Sequence, residues 1–230
     1  MKKYFRLSEI KLNQKQKYGI AVLMGTAIIF SLVFWIIGLF KTPANFKTVE
    51  PAADEHISPY LSNYILPELH NKLQYREPFD LTVSQEGINE VIARHIDSNS
   101  LAKAGLSDLT IAFKPKKILL TGKTDYRGFD FIVTMVLEPR IDKKGQLALD
   151  ASDFQVGNSS LPFVAEAIKK KILNSLDENF KLTKNDEFID ALFNNSNVEP
   201  VFKINHSKLR IEKITAQDGK LIIHFLPEYP

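Results

Sequence analysis

From Tyr18 to Phe40 the chain reads YGIAVLMGTAIIFSLVFWIIGLF, without one charged side chain. As a helix this stretch would be roughly 34 Å long at about 1.5 Å per residue, close to the hydrocarbon thickness of a bilayer. So long an apolar rod has to be placed before any globular core is considered, and the sequence predicts a single transmembrane helix over 18–40. Lys2, Lys3, Arg6, Lys11, Lys15 and Lys17 precede it against the lone acid Glu9, whereas Lys41 and Lys47 are balanced by Glu50, Asp54 and Glu55 after it. Positive flanks stay in the cytoplasm, so the expected location is the cell membrane, single-pass, with the N-terminus cytoplasmic and the C-terminal domain extracytoplasmic. A cleaved signal peptide is the rival reading, but its apolar region usually runs about 7 to 15 residues and ends in a small-x-small site. Thr42-Pro43-Ala44 fits such a site poorly.

The expected organisation is a basic tail over 1–17, the transmembrane helix over 18–40, a stalk over 41–53 carrying Pro43 and Pro51, and an α+β domain over 54–230. Beyond residue 40 there are 24 basic and 26 acidic side chains, so the outer domain is near neutral and no nucleic-acid partner is expected. With no cysteine in the chain, disulfides, thiolate chemistry and cysteine metal sites are excluded.

Within the domain, Asp54 to Leu73 has helical spacing interrupted by Pro59 and Pro67, which predicts one or two short helices. Phe79, Leu81 and Val83 alternate with polar residues as in a strand, and Ser84 stands where a helix N-cap belongs. Ile88, Val91, Ile92 and Ile96 then form the stripe of an amphipathic helix. Four strands follow, Asp108 to Phe113, Lys116 to Tyr126, Phe129 to Ile141 and Gln146 to Val156, separated by Lys114-Pro115, Arg127-Gly128 and Asp142 to Gly145. In the third, Phe129, Phe131, Val133, Met135 and Leu137 share one apolar face while the other is mixed, so one side of the sheet is expected to be buried. Leu161, Val164, Ala165, Ile168, Ile172 and Leu176 predict a second amphipathic helix, and Thr183 to Asp186 resembles a capping box opening a third. Val201 to Ile204, Leu209 to Ala216 and Leu221 to Leu226 close the chain, the last two joined by a turn containing Asp218-Gly219. The alternation slips between Ala151 and Phe154 and between Ile211 and Ile214, which predicts bulges and a curved sheet.

Catalytic signals are weak. Gly122-Lys123-Thr124 echoes a phosphate-binding loop, but Lys117 occupies the position of its first glycine and the segment continues as a strand. His56, His70, His95, His206 and His224 lack metal-ligand spacing, and no serine stands in a nucleophile elbow. No catalytic residue, metal or cofactor is expected, and the chain does not read as an enzyme.

LTVSQEGINEVI (81–92), the run from Ile118 to Ile168 and IEKITAQDGKLIIHF (211–225) resemble the YpmS-like family of bacterial membrane-anchored proteins. That family looks like part of the tubular lipid-binding (TULIP) group. The resemblance implies a curved antiparallel meander sheet wrapped around long amphipathic helices, with an apolar groove for lipid between them. The groove residues implied are Ile88, Val91, Ile92, Phe129, Phe131, Val133, Met135, Leu161, Val164, Ala165, Ile168 and Ile172. The function so implied is binding of membrane lipid or a lipid-like ligand. The alternative is a non-enzymatic scaffold that docks on envelope protein partners. A packed core would show the same apolar periodicity as a hollow one.

Overall fold

Helix α1 covers Gln14–Leu39, where the uncharged run predicts a helix. The computed structural model describes residues 14–44, 46, 57–96, 98–103, 105–159, 166–168, 170–171, 174, 197–204 and 207–228. Among these, no helix is long and apolar enough to cross a membrane. The transmembrane helix, the single-pass membrane assignment and the cell-membrane location with an extracytoplasmic domain are corrected accordingly. The end of the run has a different use. The chain divides into two compact units, Met1–Gly38 and Leu39–Pro230, so Leu39 and Phe40 belong with the domain. Leu39 packs on a buried cluster of that domain and the Phe40 ring stacks on Phe131, which places both among protein side chains.

The second unit is α+β but is not one sheet wrapped around long helices. A π-helical turn over Leu61–Ile65 leads into α2, Leu66–Tyr75. Next come β1 (Phe79–Ser84), α3 (Gln85–His95), α4 (Ser98–Lys103), β2 (Asp108–Lys114), β3 (Lys117–Tyr126), β4 (Phe129–Ile141) and β5 (Leu147–Val156). The remaining strands are β6 (Asn197–Val198), β7 (Val201–Ile204), β8 (Ser207–Gln217) and β9 (Lys220–Glu228). They form two antiparallel sheets, ordered β1-β9-β8-β7 and β2-β3-β4-β5-β6. In the second unit the described helices are short, and α3 spans only 11 residues. The helices expected after Ser160 and Thr183 fall largely outside the described residues.

Local chemistry accounts for much of this. Ser84 caps α3 by accepting from the Gly87 N–H at 3.1 Å. Both alternation slips are bulges: Ser152 is the extra residue between the Leu137–Ala151 and Val136–Asp153 pairs, and Glu212 that between the Ile211–Phe225 and Lys213–His224 pairs. Leu69, Phe79, Leu81, Leu209, Ile211 and Phe225 form one core, each buried side chain contributing about 1.5–3 kcal/mol before ordering costs. The expectation of a one-sided sheet fails at its centre. Thr134 and Val136, on the mixed face of β4, are each 3% exposed, and Val133 on the apolar face is 4% exposed. Thr121 and Thr134 make this possible by satisfying each other across the strands at 3.1 Å.

The tip of the β8–β9 hairpin joins the sheets. Gly219 donates to Phe113, Lys116 to Ala216 and Gln85 to the Gly219 carbonyl. A second tie holds the segment before α2. Ser58, fully buried, bonds Glu90, which also pairs with Arg94. Burial works against ionisation of Glu90, but the Ser58 hydroxyl, Arg94 and the Tyr60 backbone N–H outweigh it and hold the carboxyl below its usual range. A lowered native value means stability that is present above the unfolded-state pKa and lost as pH falls through the native one. The stability difference between wild type and Glu90→Gln is therefore expected to be largest near neutrality and to shrink below about pH 4. Urea midpoints across that range check it; a constant difference would contradict the tie.

Candidate functional site

The β3–β4 hairpin turns on Arg127-Gly128, between the paired Tyr126 and Phe129. Both turn residues have positive φ, 56° and 81°, the backbone of a type I′ turn that matches the strand twist. An L side chain such as arginine is disfavoured there, and Asn-Gly is the preferred pair. Arg127→Asn is expected to raise stability by about 0.5–1 kcal/mol, read as a higher denaturant midpoint.

From this turn an apolar face runs inward. Phe129, Phe131 and Val133 of β4 lie beside Tyr126, Thr124 and Gly122 of β3, and Val133 beside Val156 of β5. Gly122 matters because a Cβ there would come within 3.0 Å of both the Leu106 side chain and the Asp108 carbonyl. Its bareness lets Leu106 close over the sheet, and Thr124 fixes the same loop by donating to the Gly105 carbonyl at 2.7 Å. Ile168, fully buried, packs on Phe131, Val133 and Val156. At the outer rim the Phe40 ring lies 5.3 Å from that of Phe131, stacked, and 6.2 Å from that of Phe129, edge-on. Phe40 and Phe129 remain 50% and 58% exposed. A fully covered floor thus continues into two exposed aromatic rings.

Cations stand near the rim in the chain and on the hairpin. Lys41 follows Phe40, the Arg127 guanidinium sits 5.4 Å from the Tyr126 ring centre, and the Lys171 ammonium donates to the Asp125 carbonyl. Lys123 pairs with Asp130 at 2.9 Å, and that hydrogen bond raises the lysine pKa, keeping the pair ionised.

The implied groove residues divide. Phe131, Val133 and Ile168 meet in one cluster, with Phe129 at its rim. Met135 is buried further along β4 beside Phe154. Ile88, Val91 and Ile92 lie on α3, which packs beside β1 and β2, and among the described residues the cluster includes none of them. Leu161, Val164, Ala165 and Ile172 lie outside the described residues. The sequence reading missed Phe40, assigned to the membrane run, and Arg127, read only as a turn former. The one signal was the abrupt Phe40-Lys41 junction.

His95, on α3, is exposed. His224 bonds Asp80 at 2.7 Å on the open face of the β1-β9-β8 sheet, where two clefts of about 480 and 370 Å³ share these two residues. Lys213, Thr215, Gln217, Lys72 and Glu77 make those clefts polar, unlike the expected lipid groove.

Fold and site together define an α+β domain of two antiparallel sheets with an aromatic and basic rim on one hairpin. No protein-family model and no curated protein matches the chain.

Proposed function

We propose that the domain is a non-enzymatic binding module for an apolar ligand, an acyl chain or lipid-like equivalent, received at the Phe40–Phe129 rim. The observation that carries this reading is the exposure of two neighbouring aromatic rings directly above a buried apolar floor. Rings so placed leave apolar area in water that a hydrocarbon chain would cover, at about 25 cal/mol per Å². The reading keeps from the YpmS-like resemblance only the ligand class, because the helix-wrapped groove is not present among the described residues.

Phe129→Ser removes one ring from the exposed side of the rim without opening the core. It is expected to weaken binding of a fluorescent fatty-acid analogue by roughly tenfold, about 1.4 kcal/mol, while the denaturant midpoint stays nearly unchanged. Unaltered affinity would remove the rim from the binding site. A second reading, an assembly domain docking on partner proteins, is favoured by the exposed Tyr64, Leu66 and Tyr75. Native mass spectrometry separates the two: bound lipid on the purified protein supports the first, and a clean mass with no fatty-acid binding supports the second.

A further inference from the structure

We infer that the ligand of this rim is an anionic amphiphile, its chain against Phe40 and Phe129 and its phosphate or carboxylate met by Lys41, Arg127 and Lys171. The inference rests on the apolar-ligand reading and adds the headgroup. Among the described residues none of these three cations has a carboxylate partner. Arg127 rests by the Tyr126 ring, Lys171 is held by a backbone carbonyl, and Lys41 is exposed. Elsewhere in the domain several basic side chains do have such a partner: Arg140 with Asp150, Arg210 with Glu228 and Glu199, Lys114 with Asp218, Arg94 with Glu90. At this hairpin Lys123 lies opposite Asp108 and is paired with Asp130, whereas Arg127 rests by a ring and Lys171 by a carbonyl.

The three cations stand close to the exposed rings in the chain or on the hairpin. Arg127 is two residues from Phe129, Lys41 is next to Phe40, and Lys171 is tied to the strand carrying Tyr126. A chain lying on Phe40 and Phe129 would bring its head among these cations. An exposed ammonium or guanidinium attracts an anion weakly and in a salt-dependent way, but an anion tethered by a bound chain is held at high local concentration. A zwitterionic head gains less, and a free anion lacks the tether.

The test uses the full chain with three probes: lysophosphatidylglycerol, lysophosphatidylcholine of the same chain length, and glycerol phosphate, all below micellar concentration. The anionic lipid is expected to bind roughly tenfold more tightly than the zwitterionic one at low salt, and the gap to narrow as salt rises. Arg127→Asn with Lys171→Gln should abolish most of the gap, with lysophosphatidylcholine binding falling far less than that of the anionic lipid. Because Arg127→Asn suits the turn, lost affinity cannot be ascribed to unfolding, and a denaturant midpoint confirms it. Equal affinity for the two lipids would overturn the headgroup assignment but leave the apolar site standing. Failure of both lipids to bind would remove the apolar reading itself. Glycerol phosphate binding as tightly as the anionic lipid would show an anion site without a chain, and would also overturn the inference.

Discussion

Gly87→Ala is expected to destabilise the domain by about 3 kcal/mol or more, the upper range for forcing atoms into filled space. A Cβ at this position would lie 2.4 Å from three ring atoms of Tyr60, so the glycine backbone rests against the ring. The ring cannot simply turn aside. Its hydroxyl accepts from the Ser84 N–H at 2.7 Å, and the next turn of the same segment is fixed by Ser58, whose hydroxyl accepts from Leu61 and bonds Glu90. Relief must come either from a shift in the first turn of α3, at the expense of the Ser84 cap, or from loss of the Tyr60 bond. The double variant Tyr60→Ala with Gly87→Ala should therefore be less destabilised than the sum of its single changes, because the clash is absent once the ring is removed. Denaturant midpoints of the four proteins check this. A Gly87→Ala protein as stable as wild type would show that the ring is not seated on α3.

Asn89→Leu is expected to cost about 3 kcal/mol, because it leaves two backbone groups without partners. The Asn89 amide donates to the Ile111 carbonyl and accepts from the Ile111 N–H, each at 2.7 Å, and the side chain is 8% exposed. One turn earlier Gln85 accepts from the Phe113 N–H at 2.9 Å. These side chains, four apart on α3, serve alternate residues of β2 and act as a neighbouring strand along the edge of the five-stranded sheet. The leucine variant should also aggregate more readily, since a bared strand edge can pair with another chain. Asn89→Asp adds a pH signature. The aspartate keeps the bond from Ile111 N–H but sets a negative charge against the Ile111 carbonyl, which raises the native pKa of the new carboxyl. Its protein should be weakest near neutrality and recover as pH falls and the carboxyl becomes a donor. Urea midpoints at about pH 4 and pH 7 measure the recovery, with wild type as the reference for the general acid effect. A leucine variant losing under about 1 kcal/mol would mean that water replaces the amide.

Features governed by neighbours along the chain could be read directly. Ser84 as a cap, the Arg127-Gly128 and Asp218-Gly219 turns, the strand spans and both bulges depend on backbone chemistry within a few residues. The apolar stripe of β4 was legible for the same reason, and with it Phe131 and Val133 of the candidate site. Which strands join which sheet was not, because alternation states that a strand has two faces without stating its partner. β1 pairs with β9 at the far end of the chain, Asp80 opposite His224, and this divides one expected curved sheet into two. Burial of both faces of β4 likewise depended on threonines from adjacent strands satisfying one another. The rim shows the limit most plainly. The sequence by itself determined an uncharged apolar run ending at Phe40 and a turn at Arg127, but it fixed no distance between them. Only the tertiary structure set Phe40 on Phe129 and Phe131 and drew Lys171 to the same hairpin, because contacts between residues so distant in the chain form only once the sheet between them has folded.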